Sequence, residues 1–296
     1  MSEIPVFWHH GFGNWDCALP SHILYKAGAK NFFDSLHDAY LFPCLTAVIC
    51  IPGRHSTGDY DLINRAAVHF DNVVFVIFGD EEGIFHADRL QHKNKKVWWF
   101  MPPFHPKQQV DRVAINGWPI DAMNFIERQN EIVQDVRDFD WSFLGQVTHS
   151  RRIACVDATQ GIPRGFCLPT DGFAQGIPRE NYYRTLCRSK IALCPSGPCT
   201  PDSFRIAEAL LAGCIPIADD LTQNPEYPNG YWNYAFATDK LPFPVISDWK
   251  NLPKVIEETL FDYQHVRLSC VRFFSGYLDF LIKTMEADIL KPKVLR

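Results

Sequence analysis

The chain has 296 residues, 47% of them apolar and 21% charged, with a formal net charge of -5. That length suits two domains of ordinary size, each with a substantial core, and the acidic balance speaks against a dedicated nucleic-acid binder, which carries a basic excess. No basic leader precedes an apolar run, and no stretch approaches the roughly 20 apolar residues of a membrane span, so a cytoplasmic protein with no membrane partner is expected. The ten cysteines include no Cys-x-x-Cys pair, and the histidines are wrongly spaced for a helix-borne metal pair, so the thiols read as reduced core residues and no metal site is expected.

Pro5–Trp8 reads as a first strand, followed by a loop holding His9, His10, Gly11, Gly13, Trp15 and Asp16. A helix is predicted from Ser21, with Leu24, Phe32, Phe33 and Leu36 on its apolar face. Residues 45–51 form the next strand, closed by Pro52-Gly53, and residues 61–70 a helix. The Val/Ile/Phe run 72–78 is the clearest strand, of the kind covered on both faces of a parallel sheet. It ends in the acidic turn Asp80-Glu81-Glu82, and 97–100 is a further strand. Residues 105–140 are more polar and should contain the domain linker. A second alternating series begins at Trp141. It comprises a helix over 178–189, a strand over 191–194, a helix over 200–212, a strand over 214–217, and helices over 252–261 and 266–290. Strands alternating with helices make parallel β-α-β units. The expected architecture is therefore α/β, with two Rossmann-like domains facing across a cleft.

The stretch 191–217 carries the most chemistry. A buried strand ends at Cys194-Pro195, the loop Ser196-Gly197-Pro198-Cys199 follows, and Thr200 is placed to cap a helix with Pro201 at its first position. Gly213 should end that helix in the left-handed conformation. Free amides at the helix start form an anion site beyond the carboxyl end of a parallel strand. Asp202, Arg205 and Glu208 recur every three residues. Glu208, among Ala207, Ala209 and Leu210, needs partners if buried. The hydroxyls of a ribose would supply them; an ordinary Arg205–Glu208 pair is the plainer reading.

This segment, with Cys-Pro-x-Gly, Thr-Pro-Asp-Ser-Phe-Arg and Glu-Ala-x-x-Ala-Gly-Cys-Ile-Pro, resembles the signature of the exostosin-like glycosyltransferases. A second similarity is Phe143-Leu-Gly-Gln-Val-Thr-His-Ser-Arg-Arg152. Both lie in the C-terminal half. The resemblance implies a GT-B fold and inverting, metal-independent transfer from a nucleoside-diphosphate sugar, with no cofactor. It assigns donor binding to Gln146, Arg151, Arg152, Ser196, Gly197, Thr200, Asp202, Ser203, Arg205 and Glu208. It also implies an acceptor-binding domain over 1–138, a donor domain over 139–277, and a C-terminal helix, about 278–296, crossing back to the first domain.

Inverting transfer needs a base for the acceptor hydroxyl. Asp16 is favoured and Asp80 second. His10, Trp15 and His55, in loops after the first two strands, are the expected acceptor contacts. The acceptor is a glycan, a small molecule or a hydroxylated base in DNA. For DNA, Lys93, Lys95, Lys96, Lys107 and Arg112 would line a basic rim. The absence of an anchor suits an enzyme of a bacterial or virus-infected cell, acting as a monomer or weak dimer. The alternatives are a non-catalytic nucleotide-sugar-binding module and, less well supported, an oxidoreductase, which lacks its Gly-x-Gly-x-x-Gly.

Overall fold

The computed structural model describes residues 4–10, 15–42, 45–104, 108–120, 122–132, 137–172, 175–220 and 224–290, with the backbone alone at Trp15 and 129–132. The chain divides into two compact units. The first comprises Met1–Gly117, Ala235–Ala237 and Tyr277–Arg296; the second comprises Trp118–Tyr234 and Thr238–Gly276.

In the first unit β1 (Pro5–Trp8), α1 (Ala18–Lys26), β2 (Asn31–Phe33), β3 (Thr46–Pro52), α2 (Tyr60–Ala67), β4 (Asn72–Phe78), β5 (Lys95–Phe100) and β6 (Arg112–Ala114) alternate. The strands form one sheet in the order β2-β1-β3-β4-β5-β6, and every pairing is parallel. Apolar residues of β3 and β4 are fully buried, as a doubly covered sheet requires. Phe7, Ile49, Phe75, Ile77 and Trp99 pack on Tyr60, Ile63 and Phe70 to form one core face.

The second unit runs α3 (Ala122–Ile132), β7 (Phe139–Gln146), α4 (Ser150–Ala158), β8 (Gly165–Thr170), α5 (Arg179–Cys187), β9 (Ser189–Cys194), α6 (Phe204–Leu211), β10 (Ile215–Asp219), α7 (Tyr231–Ala235), β11 (Val245–Ile246), α8 (Leu252–Phe261) and α9 (Tyr263–Ile289). Its sheet, also wholly parallel, has the order β11-β10-β9-β7-β8. Two Rossmann-like α/β units are thus present, as expected.

α9 serves both units. From Tyr277 onward it belongs to the first, where Trp98 Nε1 donates to Asp288 at 3.0 Å and the Tyr277 hydroxyl accepts from Ile115 N at 3.0 Å. No helix among the described residues is long and apolar enough to cross a membrane.

Three local expectations change. Phe32 and Phe33 lie in β2 rather than on the first helix, because α1 stops at Ala27-Gly28 and Gly28 takes a positive φ of 93°. The polar stretch after 105 contributes β6 to the first sheet. The units divide at Gly117–Trp118 rather than at 138; α3 goes with the second unit, where Phe125 stacks on Tyr183 with ring centroids 5.7 Å apart.

Candidate functional site

In the second sheet the strand order reverses between β7 and β9. Loops leaving their carboxyl ends therefore diverge and open a crevice, the position where parallel α/β sheets bind ligands. The loop after β7 leads to α4 through His149, and the loop after β9 leads to α6 through Ser203. Both cap residues are extended, and neither side chain caps its helix. Two sets of helix-start amides thus face this end of the sheet, each favouring an anion.

α6 begins at Phe204, not at Thr200, with Ser203 at the cap position. Thr200 precedes Pro201, which disfavours helical backbone at Thr200. Thr200 and Asp202 lie before the helix and are buried beside Tyr231. Gly213 ends α6 with a φ of 68°, as the sequence requires.

Three guanidinium groups converge on these loops. Arg205 donates from Nε to Leu144 O at 3.3 Å and lies over the Phe143 ring at 5.7 Å. Gly145, with a φ of 141°, makes this possible: a Cβ there would overlap Arg205 Nη2. The Phe-x-Gly motif therefore provides the bed on which Arg205 lies. Arg151 donates to Gly197 O and to Pro198 O, the latter at 2.8 Å. Arg152, buried, donates to Ser196 O and Gln146 O, both at 3.3 Å. Gln146 and Gly197 thus serve through their carbonyls. Arg151 and Arg205 form no ion pair with a carboxylate among the described residues.

His149, which the sequence reading passed over, sits within this positive cluster. Burial first, then Arg152, Arg151 and Arg205, push its pKa down to about 4, so it is neutral at pH 7. Both its ring nitrogens and Ser203 Oγ are buried and meet no hydrogen-bond partner among the described residues. Orphaned buried polar atoms are rare in folded proteins and need an explanation. An anionic, hydroxyl-rich ligand would provide one.

Glu208 is 5% exposed. Its two oxygens accept hydrogen bonds from the Tyr182 and Tyr183 hydroxyls, each at 2.7 Å. Burial raises its pKa, against the two tyrosine bonds and the nearby Arg205. The protein itself therefore satisfies this carboxylate, and its burial alone does not demand a ribose. Neither tyrosine was legible as a partner, since α5 meets α6 only in the folded unit.

Ser196 turns inward, fully buried, and its N–H and hydroxyl both donate to Asp219 Oδ1. Trp249 Nε1 donates to the other Asp219 oxygen at 2.7 Å. Burial pushes the Asp219 pKa up to about 6. Asp219 is the last residue of β10 and anchors the loop after β9.

The first unit holds the candidate bases. Asp80 is fully buried; its oxygens accept Ile84 N at 3.1 Å and Phe85 N at 2.9 Å, closing the turn after β4. Asp16 lies in a short 3-10 turn, hydrogen-bonded to Asn116 and near His55, and burial raises its pKa. His55 is exposed. His10 is exposed and bonds Asp59, a residue the sequence did not single out. The Trp15 side chain lies outside the described residues, as do Gly11, Gly13 and Lys107. Of the basic residues considered for DNA, Lys93 is exposed, Lys95 donates to Leu90 O, Lys96 pairs with Asp111 at 2.6 Å, and Arg112 lies 3.5 Å from Asp288.

Residues 174–289 match the family model described as the RXYLT1 C-terminal domain. Over 166 residues the chain is 25% identical to human ribitol-5-phosphate xylosyltransferase 1, covering 50% of this chain and 37% of that protein. The chain therefore spans well under half of this relative. Among solved structures, Alr3699/HepE of Anabaena in complex with UDP has a TM-score of 0.49 at 10% identity, over 96% of this chain and 98% of that one. An α1,3-fucosyltransferase has a TM-score of 0.47 at 13% identity, over 99% and 92%. The two sequence matches bear out the exostosin-like resemblance read from 191–217. The segment 143–152 precedes the family match.

Proposed function

We propose that the chain is a glycosyltransferase that moves a hexosyl or pentosyl group from a nucleoside-diphosphate sugar to an acceptor hydroxyl. One observation carries this reading. Arg151, Arg205 and the starts of α4 and α6 meet at a switch point where no described carboxylate pairs with either arginine. Such a cluster neutralises a diphosphate leaving group without a metal ion. Glu208 accepts the ribose hydroxyls, each oxygen having acceptor capacity beyond its tyrosine bond. Tyr182 and Tyr183 hold that carboxylate in place.

Transfer proceeds with inversion, and Asp16 is the base that takes the acceptor proton. Its raised pKa moves it toward the range where a general base is effective. Asp80 is the weaker candidate, since acting as base would compete with its two backbone donors. The acceptor is a glycan or small-molecule hydroxyl, met by residues such as His10 and His55. DNA is less favoured, because Lys96 and Arg112 are matched by Asp111 and Asp288.

A thermal-shift series with UDP, GDP, ADP, CDP and their sugars tests the donor site. One nucleotide and its sugars should stabilise the protein, and Glu208→Ala should abolish that shift. Absence of any shift would end the proposal. Asp16→Asn should retain donor binding while turnover falls by about 10²–10⁴. Donor binding by the wild type without turnover on any acceptor would instead indicate a binding module.

A further inference from the structure

The first sheet has its own switch point, between β1 and β3, where the order passes β2-β1-β3. Just beyond these two strands lie His9 and His10 on one side and Asp59 on the other. His9 Nε2 is 2.9 Å and His10 Nε2 3.0 Å from the same oxygen, Asp59 Oδ2. Adjacent residues on extended backbone point to opposite faces, so two neighbouring histidines do not normally reach one point. Here His10 takes a φ of 63°, a left-handed conformation uncommon for a side-chain-bearing residue, and the two rings lie with centroids 4.0 Å apart. The turn gathers both Nε2 atoms around one carboxylate.

We propose that His9, His10 and Asp59 form a binding site for a divalent transition-metal ion, with zinc as its best-suited occupant. Two imidazole nitrogens and a carboxylate oxygen are zinc ligands at about 2.0–2.2 Å, a tetrahedral arrangement that spaces neighbouring ligand atoms by about 3.3 Å. The present spacings of 2.9 and 3.0 Å need to open by only a few tenths of an ångström. Each neutral imidazole binds the ion through an unprotonated Nε2, with its ring proton carried on Nδ1. His9 is buried and fixed, whereas the side chains of His10 and Asp59 are 47% and 36% exposed. The site is therefore reachable from solvent and leaves coordination positions for water or a ligand oxygen, as in open metal sites. Magnesium and calcium, which prefer an all-oxygen shell, are poor fits. The ion belongs to the first unit and takes no part in neutralising the diphosphate at Arg151 and Arg205; it shares His10 with the acceptor contacts of the transferase reading, and zinc binding is measured separately from nucleotide binding.

Calorimetric titration of the full, metal-stripped chain with Zn²⁺ tests this, with Mg²⁺ as control and Co²⁺ absorption as a second readout. One zinc per chain is expected, with a Co²⁺ spectrum containing nitrogen and oxygen ligands and no thiolate charge-transfer band. His10→Ala and Asp59→Asn, both at half-open positions, should each weaken zinc affinity at least about 10-fold. Each variant's unfolding midpoint in EDTA shows that it is folded. Zinc should raise that midpoint more for the wild type than for either variant. Failure to bind, a thiolate spectrum, or zinc affinity unchanged in both folded variants overturns the proposal.

Discussion

The two units repeat one architecture and diverge in the chemistry placed at the same point of it. Each sheet reverses its order beside its first strand, at β1/β3 and at β7/β9, and each reversal carries an aspartate and histidine chemistry. At β1/β3 Asp59 lies outside, and its hydrogen bond to His9, followed by its other contacts with the two histidines, outweighs burial to hold its pKa down. Next to β7/β9, at the end of β10, Asp219 lies inside, pushed up to about 6 by burial, and accepts from Ser196 and Trp249. With that acid turned inward, the crevice is left to Arg151 and Arg205. Where the carboxylate faces solvent the switch point presents a negative group; where it is turned inward the same place presents guanidinium groups.

The largest expected effect comes from the buried acid. A carboxylate whose folded pKa is raised contributes stability below its unfolded value near 3.8 and loses it as pH rises through about 6. Asp219→Asn lacks that loss. Relative to wild type it should gain on the order of 3 kcal/mol between pH 3.5 and pH 7.5 in denaturant unfolding. A constant difference across that range would show that Asp219 is not the inward acid described. Next is the cationic side. Arg205→Ala should weaken nucleoside-diphosphate binding by about 2–3 kcal/mol, roughly 30- to 150-fold by calorimetry; an unchanged dissociation constant would remove the anion from this crevice. Gly145→Ala, which pushes Arg205 off its bed, should reproduce about 10-fold of that loss.

His149 gives a smaller, directional effect. Its folded pKa is depressed, so its stability contribution is present above 6.5 and is lost as pH falls toward about 4. A bound diphosphate opposes the arginine charges and raises that pKa. Nucleotide binding at pH 5 should therefore take up protons, seen as buffer-dependent heat, and His149→Gln should abolish the uptake. Smallest is Tyr182→Phe. It deprives Glu208 of one donor at a cost of about 1 kcal/mol, and an unaffected unfolding midpoint would mean that Tyr183 alone suffices.

Much of the second crevice was visible in the chain itself. The run 191–217 announces strand, loop, helix and glycine stop in order, since each signal is local: an apolar run, a proline, a helical period, a left-handed glycine. The gathering of His9, His10 and Asp59 in the first unit was not. His9 and His10 looked unfit for metal because metal-pair spacing is judged on helices, whereas here a single left-handed residue brings them together. The region around Phe32 and Phe33 misled for the opposite reason, its helical period running past a glycine that ends the helix.

What the sequence determined by itself was the alternation of strands and helices and the glycine stop of α6 at Gly213, because these depend on neighbours within a turn or two. What only the tertiary structure decided was partnership. Tyr182 and Tyr183 satisfy Glu208, Asp219 turns inward to hold Ser196, and Asp59 joins His9 from fifty residues away. Hydrogen bonds are made where sheet order and helix packing bring groups together, and no local pattern encodes which distant side chain will arrive.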